Sequence, residues 1–207
     1  MFKKLFFLKT IRPKNNRYNK NIVIHDHFPE PTVIVDGLVE SGSLLRHIWK
    51  VGIKNLVPAS EKIENILALG LGGGSNVRLV RKLYPKTTIT AVEIDPQMVK
   101  IANKYFGLSK IAKLNIITED AVKYVKELKK ENFDLILVDC FVGKNIPTAL
   151  QELGFLKKLS KHCTHLLVNR IWHNEHHAET VFFLRKISGV FTLIKIHTRT
   201  NIIVKLI

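Results

Sequence analysis

The chain has 207 residues, 46% of them apolar, which suffices for one α/β domain with a small extension and excludes a wholly disordered chain. Its 33 Lys and Arg against 17 Asp and Glu leave a net charge of +16, a field that attracts nucleic acid, acidic membranes or anionic ligands. The two cysteines, Cys140 and Cys163, form neither a CxxC pair nor a disulfide framework, which points to a reducing cytoplasm.

Residues 1–20, with Pro13 and "KNNRYNKN", read as a basic arm. Its "MFKKLFFLKTIRPK" has too short an apolar core to span a bilayer, and no small-residue cleavage site follows. It reads as a docked terminus, with a basic segment on a membrane surface as the alternative. "NIVIHDH" and "TVIVDG" predict two short strands joined by "FPEP", a small β-hairpin ahead of the main domain. "SLLRHIWKVGIKNL" has Leu44, Leu45, Ile48, Val51, Ile53 and Leu56 near helical spacing, with Gly52 as an interruption. Trp49 on that helix reads as core. The boundary is set after residue 57, leaving 58–207 as the main domain.

From Glu64 strands and helices alternate. "NILALGL" is a strand and "SNVRLVRKLY" a helix. "TITAVEI" is a strand, and "PQMVKIANKYFG" a helix with proline in its first turn and glycine after its end. "KLNIITED" and "FDLILVDCF" are strands around the helix "AVKYVKELKKE". "PTALQELGFLKKLSK" is one helix, "THLLVNRI" a strand, and "NEHHAETVFFLRKI" a helix opened by Asn174 as N-cap. "FTLIKIHT" and "NIIVKLI" close the chain as an antiparallel hairpin. Apolar runs such as "LILVD" belong to strands covered on both faces, so the fold class is a doubly wound parallel α/β sheet with a terminal antiparallel hairpin.

Gly70, Gly72, Gly73 and Gly74 fall between the first of these strands and its helix. That turn lies at the carboxyl edge of a doubly wound sheet, where ligands bind, and bare backbone there admits a nucleotide-type ligand or else tight helix–strand packing. Glu93 ends the next strand, about twenty residues on, where an acid grips ribose hydroxyls. Asp120 ends the third strand, as an adenine-side acceptor or a helix N-cap. Asp139 ends the fourth. A dinucleotide fingerprint from Gly70 needs glycine or alanine where Ser75 stands, and no Gly-Lys-Ser/Thr follows to make a P-loop. "WHNEHH" places His173 and His177 on one helical face, but no carboxylate stands as a third ligand, so no metal site is expected.

With these residues assembled, the chain resembles the spermidine synthase-like branch of the class I S-adenosylmethionine-dependent methyltransferase fold. The resemblance rests on "VDGLVESG", "ILALGLGGGS", "AVEIDPQMVKIANKYF", "ITEDAVKYV" and "FDLILVDCFVGKNIPTAL". It implies about seven strands and an adenosyl ligand held by Gly70, Gly72, Gly73, Gly74, Glu93, Asp95 and Asp120, with Asp139 as the base for aminopropyl transfer. It implies S-adenosylmethionine or its decarboxylated form as donor. The family often dimerises through an N-terminal β-domain, of which the hairpin here would be a remnant. Three positions depart from the family: Gly73 and Val142 stand where it has acids, and Glu40 where it has glutamine.

Either an aminopropyl or a methyl group is the expected cargo, with a polyamine or another nucleophile as acceptor. The missing acid at Gly73 removes repulsion for a donor that keeps its carboxylate, which favours ordinary S-adenosylmethionine. The basic surface makes RNA an alternative methyl acceptor. A non-catalytic nucleotide-binding protein is the remaining alternative, because fold does not fix function.

Overall fold

The computed structural model describes residues 7–11, 16–26 and 30–207; for 7–11 only the backbone is described. Pro13 and part of the "FPEP" link lie outside these residues, as does most of the segment read as a membrane-surface alternative.

The N-terminal region is more than the predicted hairpin. Four strands, β1 (Phe7–Ile11), β2 (Ile22–Asp26), β3 (Thr32–Val35) and β4 (Leu38–Ser41), form an antiparallel sheet in sequential order. Part of the predicted arm is therefore an edge strand. Asp36 and Gly37, with φ of 48° and 90°, make the two-residue turn that folds β4 back onto β3. Ile22, Ile24, Val33 and Val35 alternate inward and are all essentially buried, joining the core of the main sheet.

Helix α1 (Ser43–Leu56) is continuous. Gly52 does not interrupt it. A Cβ there would sit 2.8 Å from Ile203, so glycine lets the helix lie close on the sheet.

The main sheet contains β5 (Asn65–Leu69), β6 (Thr88–Glu93), β7 (Leu114–Thr118), β8 (Phe133–Val138), β9 (Cys163–Ile171), β10 (Leu193–His197) and β11 (Asn201–Leu206). Their spatial order is β10-β11-β9-β8-β5-β6-β7. β5 to β9 run parallel, and β11 is antiparallel to both β9 and β10, which is the expected terminal hairpin. The apolar runs serve two cores. Ile66 and Ala68 of β5 and Leu135 and Leu137 of β8 face one side. Leu67, Leu69, Ile136 and Val138 face the other. The first face is covered by α1, α2 (Ser75–Leu83) and α3 (Pro96–Phe106). The second is covered by α4 (Ala121–Glu127), α5 (Leu153–Ser160) and α6 (His176–Ser188). Each buried Leu, Ile or Val is worth about 1.5–3 kcal/mol, so burial on both faces explains why these strands carry no polar alternation.

Two helix ends differ from expectation. The predicted helix over 147–161 divides into a 3-10 turn (Thr148–Gln151) and α5, because Glu152 between them is extended at ψ 140°. Asn174 does not cap α6. It is left-handed at φ 53°, Glu175 occupies the cap position without a side-chain bond, and His173 lies before the helix rather than on a face with His177.

β5 is the switch point of the sheet. β6 and β7 lie to one side of it and β8 and β9 to the other, which opens a crevice beyond the carboxyl ends of β5 and β8.

Candidate active site

The glycine turn occupies that crevice, and the protein itself is what approaches its backbone. Gly70 has φ +87°, and a Cβ on it would lie 2.1 Å from the Asp139 carbonyl oxygen. Only glycine fits where β5 ends against the end of β8. Gly73 packs on Ser41 and Phe106, and its N–H donates to Ser41 Oγ at 2.7 Å. Gly74 abuts Leu108. Gly70 and Gly72 line the cleft, whereas Gly73 and Gly74 stand behind it. A Cβ at position 73 would meet Phe106 and Ser41, so glycine there serves packing as well.

The acids divide in the same way. Glu93 is 8% exposed and lines the cleft. Its Oε2 accepts from the N–H groups of Leu71 and Gly72 at 2.9 and 3.0 Å, and its Oε1 from Asp95 N–H at 2.9 Å. Burial pushes its carboxyl up, against the pull of those three amides. Asp95 does not reach the cleft. It is 1% exposed, caps α3 through Gln97 N–H, and receives Asn16 and Asn19 of the N-terminal segment at 2.8 and 2.6 Å. Asp120 is exposed at the cleft and also caps α4, with Oδ1 accepting from Val122 N–H at 2.6 Å. The N-cap reading of Asp120 is realised through Oδ1 alone, and Oδ2 takes no part in the cap.

Asp139 is half-buried and clamped. Trp49 Nε1–H donates to its Oδ2 at 2.7 Å, and Asn169 Nδ2 to its Oδ1 at 2.8 Å. Asn201 in turn donates to Asn169 Oδ1 at 3.0 Å. Burial raises the Asp139 carboxyl above the usual aspartate range, and the bonds from Asn169 and Trp49 oppose the rise. Trp49 is indeed core, fully buried, but its ring nitrogen also serves the acid.

Two clefts meet at this acid. The first, about 700 Å³, runs past Gly70, Gly72, Glu93, Asp120 and Cys140. The second, about 640 Å³, runs past Leu44, Asn169, His173 and Asn201. Asp139, Glu40 and Phe141 line both. Glu40 is the residue whose part the sequence did not reveal. Burial, then the neighbouring charges of Asp139, Glu93 and Asp36, push its carboxyl well above the ordinary glutamate range. Of the chain's 33 Lys and Arg, none lines either cleft among the described residues. Cys140 stays a thiol there, its pKa pushed well up by burial and by Glu93 and Asp139.

Asn169 had a legible signal: "VNR" sets two polar residues in an apolar strand, and Asn169 and Arg170 are only 2% and 1% exposed. Among the described residues no three His, Cys, Asp or Glu converge as metal ligands, and no helix is long and apolar enough to cross a membrane.

A family model described as the spermine/spermidine synthase domain matches residues 46–196. A polyamine aminopropyltransferase from Vibrio vulnificus (strain CMCP6) is 41% identical over 97 residues, covering 46% of this chain and 32% of the relative. An "eEF1A lysine and N-terminal methyltransferase homolog" from Drosophila pseudoobscura pseudoobscura is 33% identical over 84 residues, covering 40% of this chain and 12% of the relative. The chain thus spans about a third, or less, of these relatives' length. The crystal structure of spermidine synthase from Thermotoga maritima superposes with TM-score 0.73 at 16% identity, covering 95% of this chain and 72% of that one, a likeness of fold.

Proposed function

The chain belongs to the spermine/spermidine synthase domain family, and on that premise we propose that it is a transferase that moves an alkyl group, aminopropyl rather than methyl, from an adenosyl sulfonium donor to an amine. The observation that carries this reading is the charge of the paired clefts. Glu40, Glu93, Glu119, Asp120 and Asp139 line them, and among the described residues no Lys or Arg does. S-adenosylmethionine brings a carboxylate on its tail, which would find repulsion and no cation there. The decarboxylated form brings only an ammonium, and so does an amine acceptor.

The first cleft has the donor and acceptor groups that an adenosine needs. Glu93 Oε1 accepts one amide and keeps a lone pair for a ribose hydroxyl. Asp120 keeps one oxygen for an exocyclic amine, and Gly70 and Gly72 present bare backbone. When bound, the sulfonium supplies an electrophilic carbon beside a positive sulfur. Asp139 takes the proton that the attacking ammonium must lose. Its two oxygens are each held by one donor, so the base is oriented before the amine arrives. Its raised pKa makes it a better base than a free aspartate. A cation bound at the same junction draws the raised Glu40 carboxyl back down and favours its ionised form.

The two relatives differ in the group moved but share acceptor chemistry, since polyamine, lysine and N-terminus are all amines. The test is incubation with each donor and putrescine or a longer diamine, read by mass spectrometry. Spermidine or its homologue should form with methylthioadenosine from the decarboxylated donor, and should vanish in Asp139→Asn. Methyl transfer alone, or no transfer to any amine, would overturn the reading.

A further inference from the structure

Away from the acidic clefts, the outer faces of α1 and α2 enclose a groove of about 910 Å³. Arg46, His47, Lys50 and Lys54 of α1 face Lys82 of α2 across a floor that includes Leu79. Among the described residues no carboxylate lines it. Arg46 is paired with the buried Glu30 at 2.9 Å. Lys50, Lys54 and Lys82 are exposed and, among the described residues, have no salt bridge.

Positions 46, 50 and 54 are four apart, so they lie on one helical face in steps of about 6 Å, about 12 Å in all. A lone phosphate cannot engage that length, whereas successive phosphates of an extended strand can. Helix axes packed about 8–10 Å apart leave a groove too narrow to seat a duplex. A membrane surface would need apolar anchors beside the cations. The exposed large apolar residues Phe182, Val190, Ile194 and Ile207 belong to α6, β10 and the segments that follow α6 and β11, and none lines the groove. We infer that this groove binds the phosphodiester backbone of a single nucleic-acid strand. Among the described residues no Phe, Tyr or Trp lines it, so the lysines' contacts to phosphate dominate and the binding is independent of sequence.

Net charge alone also attracts polyanions, so the test compares places rather than totals. Short labelled uridine and thymidine homopolymers, covering RNA and DNA, are titrated by fluorescence anisotropy over a salt series. Three lysines, each releasing about 0.7 of a counterion, predict a slope of log affinity on log salt of about −2. Lys50→Glu with Lys54→Glu and Lys82→Glu should lower affinity about tenfold or more and flatten that slope. Equal charge change at Lys130→Glu, Lys161→Glu and Lys195→Glu, three exposed sites elsewhere, should cost less than about threefold. Circular dichroism checks folding, and the milder glutamine triple at 50, 54 and 82 repeats the comparison if the glutamate triple unfolds. Equal losses in both triples would overturn the inference. So would a groove triple that loses binding to phosphatidylserine vesicles while strand binding stays unchanged.

Discussion

The paired clefts and the α1–α2 groove are opposites in one molecule. Among the described residues the clefts hold carboxylates and no Lys or Arg, while the groove is lined by cations and no carboxylate. Helix α1 serves both. Trp49 reaches Asp139, and the next residue, Lys50, lines the groove. A net charge of +16 therefore says little about what the cleft takes, because the groups that face it, desolvated with it, set the local potential. The contrast also sets where each kind of damage should appear.

The largest effect is expected at the base. Asp139→Asn keeps shape and removes the proton acceptor, so turnover should fall about 10²–10⁴-fold while donor affinity stays within about threefold. Steady-state kinetics and calorimetry on one preparation check both, and an unchanged rate would remove Asp139 from the chemistry. Next is the backbone that holds the rim together. Gly70→Ala drives a Cβ toward the Asp139 carbonyl and should cost about 3 kcal/mol or more in urea denaturation. Gly107→Ala shares a positive φ, +67°, but meets nothing within 4 Å, and should cost only about 1–2 kcal/mol. Equal costs would deny that Gly70 is dictated by the close approach of β8.

A smaller change separates holding the base from being the base. Trp49→Phe removes one hydrogen bond that favours ionised Asp139. The acid limb of the kcat/KM profile should move to higher pH, with a loss of about tenfold below the plateau. A loss without a shift would make Trp49 structural only. The smallest effect is at Glu40, whose folded carboxyl lies above its unfolded value through burial and like charge. The native state then holds that proton longer than the unfolded chain, so stability falls as pH rises from the ordinary glutamate range through the raised one. Glu40→Gln removes this fall. It should raise the melting temperature by about 2–4 °C at pH near 8 and by less near 5. A uniform change across pH would contradict the sign.

Much of this frame was legible in the residues. β5 and β8 announced themselves through the apolar runs "ILAL" and "LILV" because both faces are covered, and the acids that end β6 and follow β8 stood out by position. The N-terminal sheet was less legible. β4, "LVES", ends in Glu40, which lines the clefts, and in buried Ser41, which accepts from Gly73 N–H, and in the sequence the Asp36–Gly37 turn that creates it reads as a strand's end. Asp95 looked like a ligand residue by its neighbours, yet its partners lie 79 and 76 residues earlier, a distance no local pattern encodes. Trp49 and Asp139 are 90 residues apart, and for the same reason a core tryptophan concealed its hydrogen bond. Glu40 stood out only as a departure from a family pattern; its meaning comes from the acids that the fold gathers around it.

The central claim is that the cleft's uncompensated carboxylates select the donor by the charge of its tail. Calorimetry of the same protein with S-adenosylmethionine and with its decarboxylated form tests this directly. The decarboxylated form should bind at least about tenfold tighter, a difference of about 1.4 kcal/mol, and Glu40→Gln should narrow the gap. Equal affinities, or tighter binding of the donor that keeps its carboxylate, would contradict it.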